Sequence, residues 1–183
     1  ARICGSPHSS SLGGDRAGEF ELRLMGKSYQ EIMAAGGGIN STVSATRSCS
    51  DQSLLEETRN RAKSIFRNGT TTAEAKSGYG LTLESEIRLL EVLASLDVEG
   101  PLEIIPTFLG AHAIPVEYEQ NPDEYVQLIC SGMLPEVARH WHLKHPQQAL
   151  PFVDVFCDQG AFSFAQTEAI FIAAQELGFP LKI

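Results

Sequence analysis

From Ser50 onward, short apolar runs alternate with stretches in which apolar residues recur every three to four positions. This is the pattern of strands joined by amphipathic helices. Leu54, Leu55, Thr58, Ala62, Ile65 and Phe66 share one helical face behind Ser50 or Asp51 as cap, and Asn68-Gly69 supplies a stop. A strand follows over about 70–76. Leu83, Ile87, Leu90 and Leu93 line a second helix over about 82–96, with Thr82 placed to cap it and Gly100-Pro101 behind it. The next strand is expected over about 102–109. Pro106 cannot donate a ladder hydrogen bond, so a bulge or an early end is expected there. Asn121-Pro122-Asp123 opens a third helix to about His140, a polar connection fills 142–149, and a strand follows over 152–157. Ser163 caps a fourth helix, which turns Ala165, Ala169, Ile172, Ala173 and Leu177 to a core and ends at Gly178. A further strand begins at Pro180.

Strand starts near 70, 102, 152 and 180 describe three complete βα repeats and one incomplete one. They predict an α/β fold with a parallel sheet, too few strands to close an eight-stranded barrel, and a pattern cut at its C-terminal end. Upstream, 15–25 is amphipathic, 28–35 reads as a short helix, and Gly36-Gly37-Gly38-Ile39-Asn40 reads as a loop. We read 15–49 as a long connection rather than a separate domain.

The formal charge of −9 removes nucleic acid from the expected partners, because that binding needs clustered Lys and Arg. A small molecule is the expected ligand. Cys4, Cys49, Cys130 and Cys157 show neither a C-x-x-C pair nor the spacing of a disulfide framework. There is no apolar leader in 1–12 and no uninterrupted apolar run of about 18 residues, so a cytoplasmic protein without a membrane span is expected.

In parallel α/β folds chemistry gathers where strands end. After the first strand, Lys76-Ser77-Gly78-Tyr79-Gly80-Leu81 sets a tyrosine between two glycines; its phenol either enters a pocket or packs over the rim. After the second, Gly110-Ala111-His112-Ala113-Ile114-Pro115 holds one histidine among small apolar residues, fitted to polarise a carbonyl, to bind a metal, or simply to pack. His140, His142 and His145 read as a solvated helix end. Asp158, after the third strand, reads as a turn cap. Arg16, behind Gly13-Gly14-Asp15, could clamp a carboxylate but has Asp15 and Glu19 as ready surface partners.

The segments GGDRAGEFELRLMGKSYQEIMAAGGGI, NGTTTAEAKSGYGLTLESEIRLL, FLGAHAIP and VDVFCDQGAFSFAQTE, in this order, resemble the imidazolonepropionase family of amidohydrolases. The likeness runs almost continuously over 13–183. It implies a partial (β/α)8 TIM barrel of the metal-dependent amidohydrolase type, truncated at both ends. It further implies hydrolysis of 4-imidazolone-5-propanoate to N-formimidoyl-L-glutamate in histidine degradation, a zinc or iron cofactor, and a homodimer for the full-length enzyme. Residue by residue, it assigns substrate binding to Arg16, Tyr79 and His112 and leaves the catalytic groups unassigned.

The family's first barrel strand carries an H-x-H pair that chelates the metal. Pro7 and Ser9 stand in those places here, and His8 is one position out of register. Residues 1–12 therefore read as an atypical segment in place of that strand, and no metal ligands are assigned in this chain. The expectation is that the chain alone is inactive. Two other readings compete: another cyclic-amide amidohydrolase, and a non-catalytic half-barrel that pairs its sheet edges with another chain.

Overall fold

The computed structural model describes residues 25–26 and 39–182. The readings for Pro7, His8, Ser9, Arg16, the 28–35 helix and the Gly36–Gly38 run lie outside the described residues.

The part of the expected connection that is described is a helix, α1 (Ile39–Ser48). Its Ser, Thr and Val residues are indifferent helix formers, so local propensity gave little signal. Docking supplies what propensity lacks. Thr42, Val43 and Thr46 are buried, and the Arg88 guanidinium donates to the Thr46 carbonyl and, at 3.1 Å, to that of Cys49. Helix α2 (Asp51–Arg67) starts where expected, with Ser50 Oγ accepting from the Ser53 amide at 3.2 Å.

Strand β1 (Thr72–Lys76) leads into α3 (Leu83–Glu99), capped by Thr82, and then into β2 (Glu103–Ala111). The expected third helix is three pieces: α4 (Pro122–Leu128), a π turn (Ile129–Met133) and α5 (Leu134–Lys144). Pro135 explains the break, since it has no N–H for the preceding turn, and a widened turn just ahead of it absorbs the loss. The helix also continues past His140 into the stretch expected to be a connection. Strand β3 (Phe152–Val155) precedes α6 (Phe164–Glu176), which opens with a full capping box between Ser163 and Gln166. The strand expected from Pro180 makes one isolated bridge, Val153 with Leu181.

The three strands form a parallel sheet in the order β1-β2-β3. Pro106 neither bulges nor ends β2; it sits opposite Ala75. The Glu103 amide points to β1 and bonds the Thr71 carbonyl, while the next amide, Ile104, points away and bonds Asp97 Oδ1. Pro106 has the parity of Ile104, so its missing donor faces away from β1, ahead of the point where β3 begins pairing at Thr107 with Phe152. No ladder bond is lost there. The irregularity comes later: Phe108 pairs with Val153 and Ala111 with Val155, three residues advancing against two.

One face of the sheet carries the core. Ala73 and Ile104 join Leu54, Leu89, Leu93 and Leu96, while Phe108, Ala111, Val153 and Val155 join Ile129, Met133, Trp141, Phe162 and Ile170. Strand alternation puts Glu74, Lys76, Thr107 and Asp154 on the other face. These are tied to one another: Thr107 Oγ1 donates to Glu74 Oε1 at 2.7 Å, and Lys76 is paired with Asp154 and, at 3.7 Å, with Glu74.

Candidate functional site at the strand ends

The bulge in β2 decides where its last side chains go. One extra residue between Phe108 and Ala111 returns Ala111 to the core, where it is 1% exposed, and sends His112 away from the helix-covered face. Gly110 makes the bend feasible, because a Cβ there would meet the Phe108 ring at 2.5 Å.

Beside it, the turn after β1 is built on a left-handed glycine. Gly78 has φ +89°, and a Cβ on it would come within 2.5 Å of the Leu109 carbonyl oxygen and 2.9 Å of His112 Cβ. Backbone therefore lies directly against β2. The Gly78 carbonyl accepts a hydrogen bond from His112 Nδ1 at 2.9 Å. The next residue, Tyr79, packs against the α2–α3 core and meets the His112 ring edge-on, with centroids 4.9 Å apart at 89°. Phe156, just past β3 and 49% exposed, meets the same imidazole at 6.0 Å, also at 89°. Three successive strand ends thus contribute Tyr79, His112 and Phe156 to one aromatic group.

Electrostatics favour the neutral imidazole. Burial pushes the His112 pKa below its ordinary value, and Lys76 acts in the same direction. The Gly78 hydrogen bond and the charges of Glu86 and Asp154 oppose it without reversing the shift. A neutral ring protonated on Nδ1 presents Nε2 as a hydrogen-bond acceptor. The arrangement can accept an N–H from a small planar ligand while Tyr79 and Phe156 offer aromatic contact.

The turns are braced from below. The buried Tyr125 hydroxyl donates to the Gly110 carbonyl at 2.8 Å, with the Leu81 carbonyl at 3.3 Å. Glu86 of α3, also fully buried, accepts from the turn's backbone amides. Arg47 of α1 donates from Nε to the Gly80 carbonyl at 2.7 Å and is paired with Glu117. None of these residues stood out in the sequence. Glu86 alone carried a signal, as a carboxylate within a helical run of apolar residues.

Of the three positions singled out, Tyr79 and His112 are brought together, and Arg16 lies outside the described residues. Asp158 serves its turn: Oδ1 accepts from the Gln159 amide and its carbonyl from that of Ala161. The helix-end histidines are less solvated than expected. His140 and His145 both place Nε2 2.9 Å from Glu91 Oε1, joining α5 and its C-cap to α3, while His142 is exposed. Among the described residues no group of three or more His, Cys, Asp or Glu side chains converges to hold a metal ion, and no helix is long and apolar enough to cross a membrane.

No protein-family profile matches the chain. It is 50% identical over 178 residues to the imidazolonepropionase of Herpetosiphon aurantiacus, an alignment covering 97% of this chain and 42% of that protein. It is 49% identical over 172 residues to that of Pseudomonas fluorescens, covering 94% and 41%. With the enzyme of Colwellia psychrerythraea the identity is 48% over 171 residues, covering 93% and 39%. The chain thus spans about two fifths of the length of the curated relatives it matches. Sustained over nearly all of its residues, this similarity assigns the chain to the imidazolonepropionase family.

Proposed function

We propose that this chain supplies the substrate-recognising part of an imidazolonepropionase, a hydrolase that opens the ring of 4-imidazolone-5-propanoate to N-formimidoyl-L-glutamate in histidine degradation. The observation that carries the reading is the edge-on pairing of Tyr79 with a neutral, Nδ1-anchored His112 at adjacent strand ends. In this reading His112 Nε2 accepts from the imidazolone ring, Tyr79 flanks the ring, and Arg16 clamps the propanoate through its guanidinium. Helices on one face of a parallel sheet, with a charged and internally paired opposite face, support a partial (β/α)8 barrel whose interior is that charged face.

Zinc or iron belongs to the complete protein and would activate water for attack on the ring. With Pro7 and Ser9 at the H-x-H places and residues 1–12 standing in for a first barrel strand, this chain alone turns over no substrate. The complete protein is cytoplasmic and a homodimer.

Isothermal titration tests the recognition. The chain binds 4-imidazolone-5-propanoate at least about tenfold more tightly than the same ring lacking propanoate, the margin of a bidentate charged pair. Equal affinities would remove Arg16 from the reading, and no binding of either would remove Tyr79 and His112. Loss of imidazolone absorbance on the purified chain with added zinc or iron would overturn the inactivity.

A further inference from the structure

Tyr79 and His112 sit on turns, and turns need something to hold them. The turn after β1 is costly on its own terms, because Gly78 is left-handed at φ +89° and Leu81, a residue with a Cβ, is also left-handed at φ 57°. The Ser77 amide still continues the sheet by bonding the Thr107 carbonyl at 2.9 Å, but those of Gly78, Gly80 and Leu81 lie beyond it. They converge instead on one side chain. Glu86, 0% exposed in the first turn of α3, accepts from the Gly78 amide at 2.7 Å through Oε2, and from Gly80 at 2.9 Å and Leu81 at 2.8 Å through Oε1. A buried carboxylate is stable only with such partners, and three charge-assisted bonds define the turn in return.

Gly78 links this to the site. Its N–H faces Glu86, and its C=O accepts from His112 Nδ1 at 2.9 Å. A carbonyl only accepts, so Nδ1 carries the proton, and in the neutral ring Nε2 is left with the lone pair. We infer that Glu86 is the positioning residue of the site: by holding the amides of Gly78 and Gly80, on either side of the Gly78–Tyr79 peptide, it aims that peptide's carbonyl at Nδ1 and so fixes both the tautomer of His112 and the direction of its free nitrogen. The consequence for ligand recognition rests on the function proposed above; the positioning itself does not.

A glutamine at this place has the same shape but brings one acceptor oxygen and an NH2 group against three N–H donors. At least one amide then faces a donor, and the turn loses its reason to present the Gly78 carbonyl to His112. Glu84, exposed on the same helix, serves as the control.

The experiment compares long-range proton–nitrogen spectra of the histidine side chains in this chain, in Glu86→Gln and in Glu84→Gln, above the His112 titration. The His112 signals are assigned by their loss in His112→Gln. The original chain and Glu84→Gln are expected to show His112 protonated on Nδ1 alone. Glu86→Gln is expected to show mixed tautomers, with hydrogen exchange at Gly78, Gly80 and Leu81 faster by about tenfold or more. Circular dichroism establishes that the variant is folded; a merely structural Glu86 would lower stability without moving the tautomer. Should Glu86→Gln fail to fold, Glu86→Asp, which keeps the charge but ends one methylene short, is read the same way. An Nε2-protonated His112 in the original chain, or an unmoved tautomer in the folded variant, overturns the inference. If the tautomer moves but 4-imidazolone-5-propanoate does not bind, the inference stands and the proposed function falls.

Discussion

Replacing Gly78 by alanine tests how closely the first turn lies against β2. Two costs are distinguishable. The backbone cost arises at φ +89°, where an L residue loses about 1–2 kcal/mol. The packing cost arises because the new Cβ would stand 2.5 Å from the Leu109 carbonyl oxygen and 2.9 Å from His112 Cβ. Both obstacles are at or next to backbone, so β2 or the turn must shift, at about 1–3 kcal/mol. Together Gly78→Ala should cost about 2–5 kcal/mol, a large share of the roughly 5–15 kcal/mol that holds a domain. Gly69 separates the two terms: its φ is +91°, but nothing lies within 4 Å of an added Cβ. Gly69→Ala should therefore show the backbone cost alone, about 1–2 kcal/mol. Urea unfolding of both variants reads the difference as a midpoint separation of about 0.5–1.5 M, taking a slope of about 2 kcal/mol/M that is the same for both. Equal midpoints for the two variants would refute the close approach, and with it the placement of His112 against the turn.

Tyr125→Phe deletes the hydroxyl that bonds the Gly110 carbonyl in a buried setting and should cost about 1–3 kcal/mol; a midpoint within error of the original would show that the brace is idle. His112 makes stability pH-dependent: its folded pKa lies below the unfolded value of 6.5, so the unfolded chain binds the proton first. Stability should fall as pH drops through about 6.5, and His112→Gln should flatten that slope in thermal melts. Burial raises the Glu91 pKa, but the hydrogen bonds and charges of His145 and His140 outweigh it and hold the carboxyl below its usual range. The stability this supplies is present above about pH 4.5 and lost as pH falls through the folded value. Since Glu91 is partly exposed, Glu91→Gln should cost less than about 1 kcal/mol. It should also alter the fluorescence of Trp141, whose ring lies 4.5 Å from that of His145; unchanged emission across this pH range would contradict the pairing.

What could be read from the chain alone follows from where the forces are local. Ser50, Thr82 and Ser163 announce helices because a cap bonds an amide three residues away, and each does so here. The positions of Tyr79 and His112 at strand ends were legible for the same reason, a period of apolar residues broken by glycine. Helix α1 was not legible, because its stability comes from Arg88, about forty residues on, and from burial of Thr42 and Thr46. Pro106 misled because its effect depends on which side of the strand its missing N–H faces, and that is a property of the sheet. The pairing of His140 and His145 with Glu91, and the anchoring of the first turn by Glu86, also join residues with no periodic relation.

The central claim is that Tyr79 and His112 act together on one ligand. The most direct measurement is a titration of the isotopically labelled chain with 4-imidazolone-5-propanoate, followed by magnetic resonance. We predict that the ring signals of Tyr79 and His112 and the Gly78 amide shift saturably with one common midpoint. Saturable shifts confined to other residues, or no shifts at all, would contradict it.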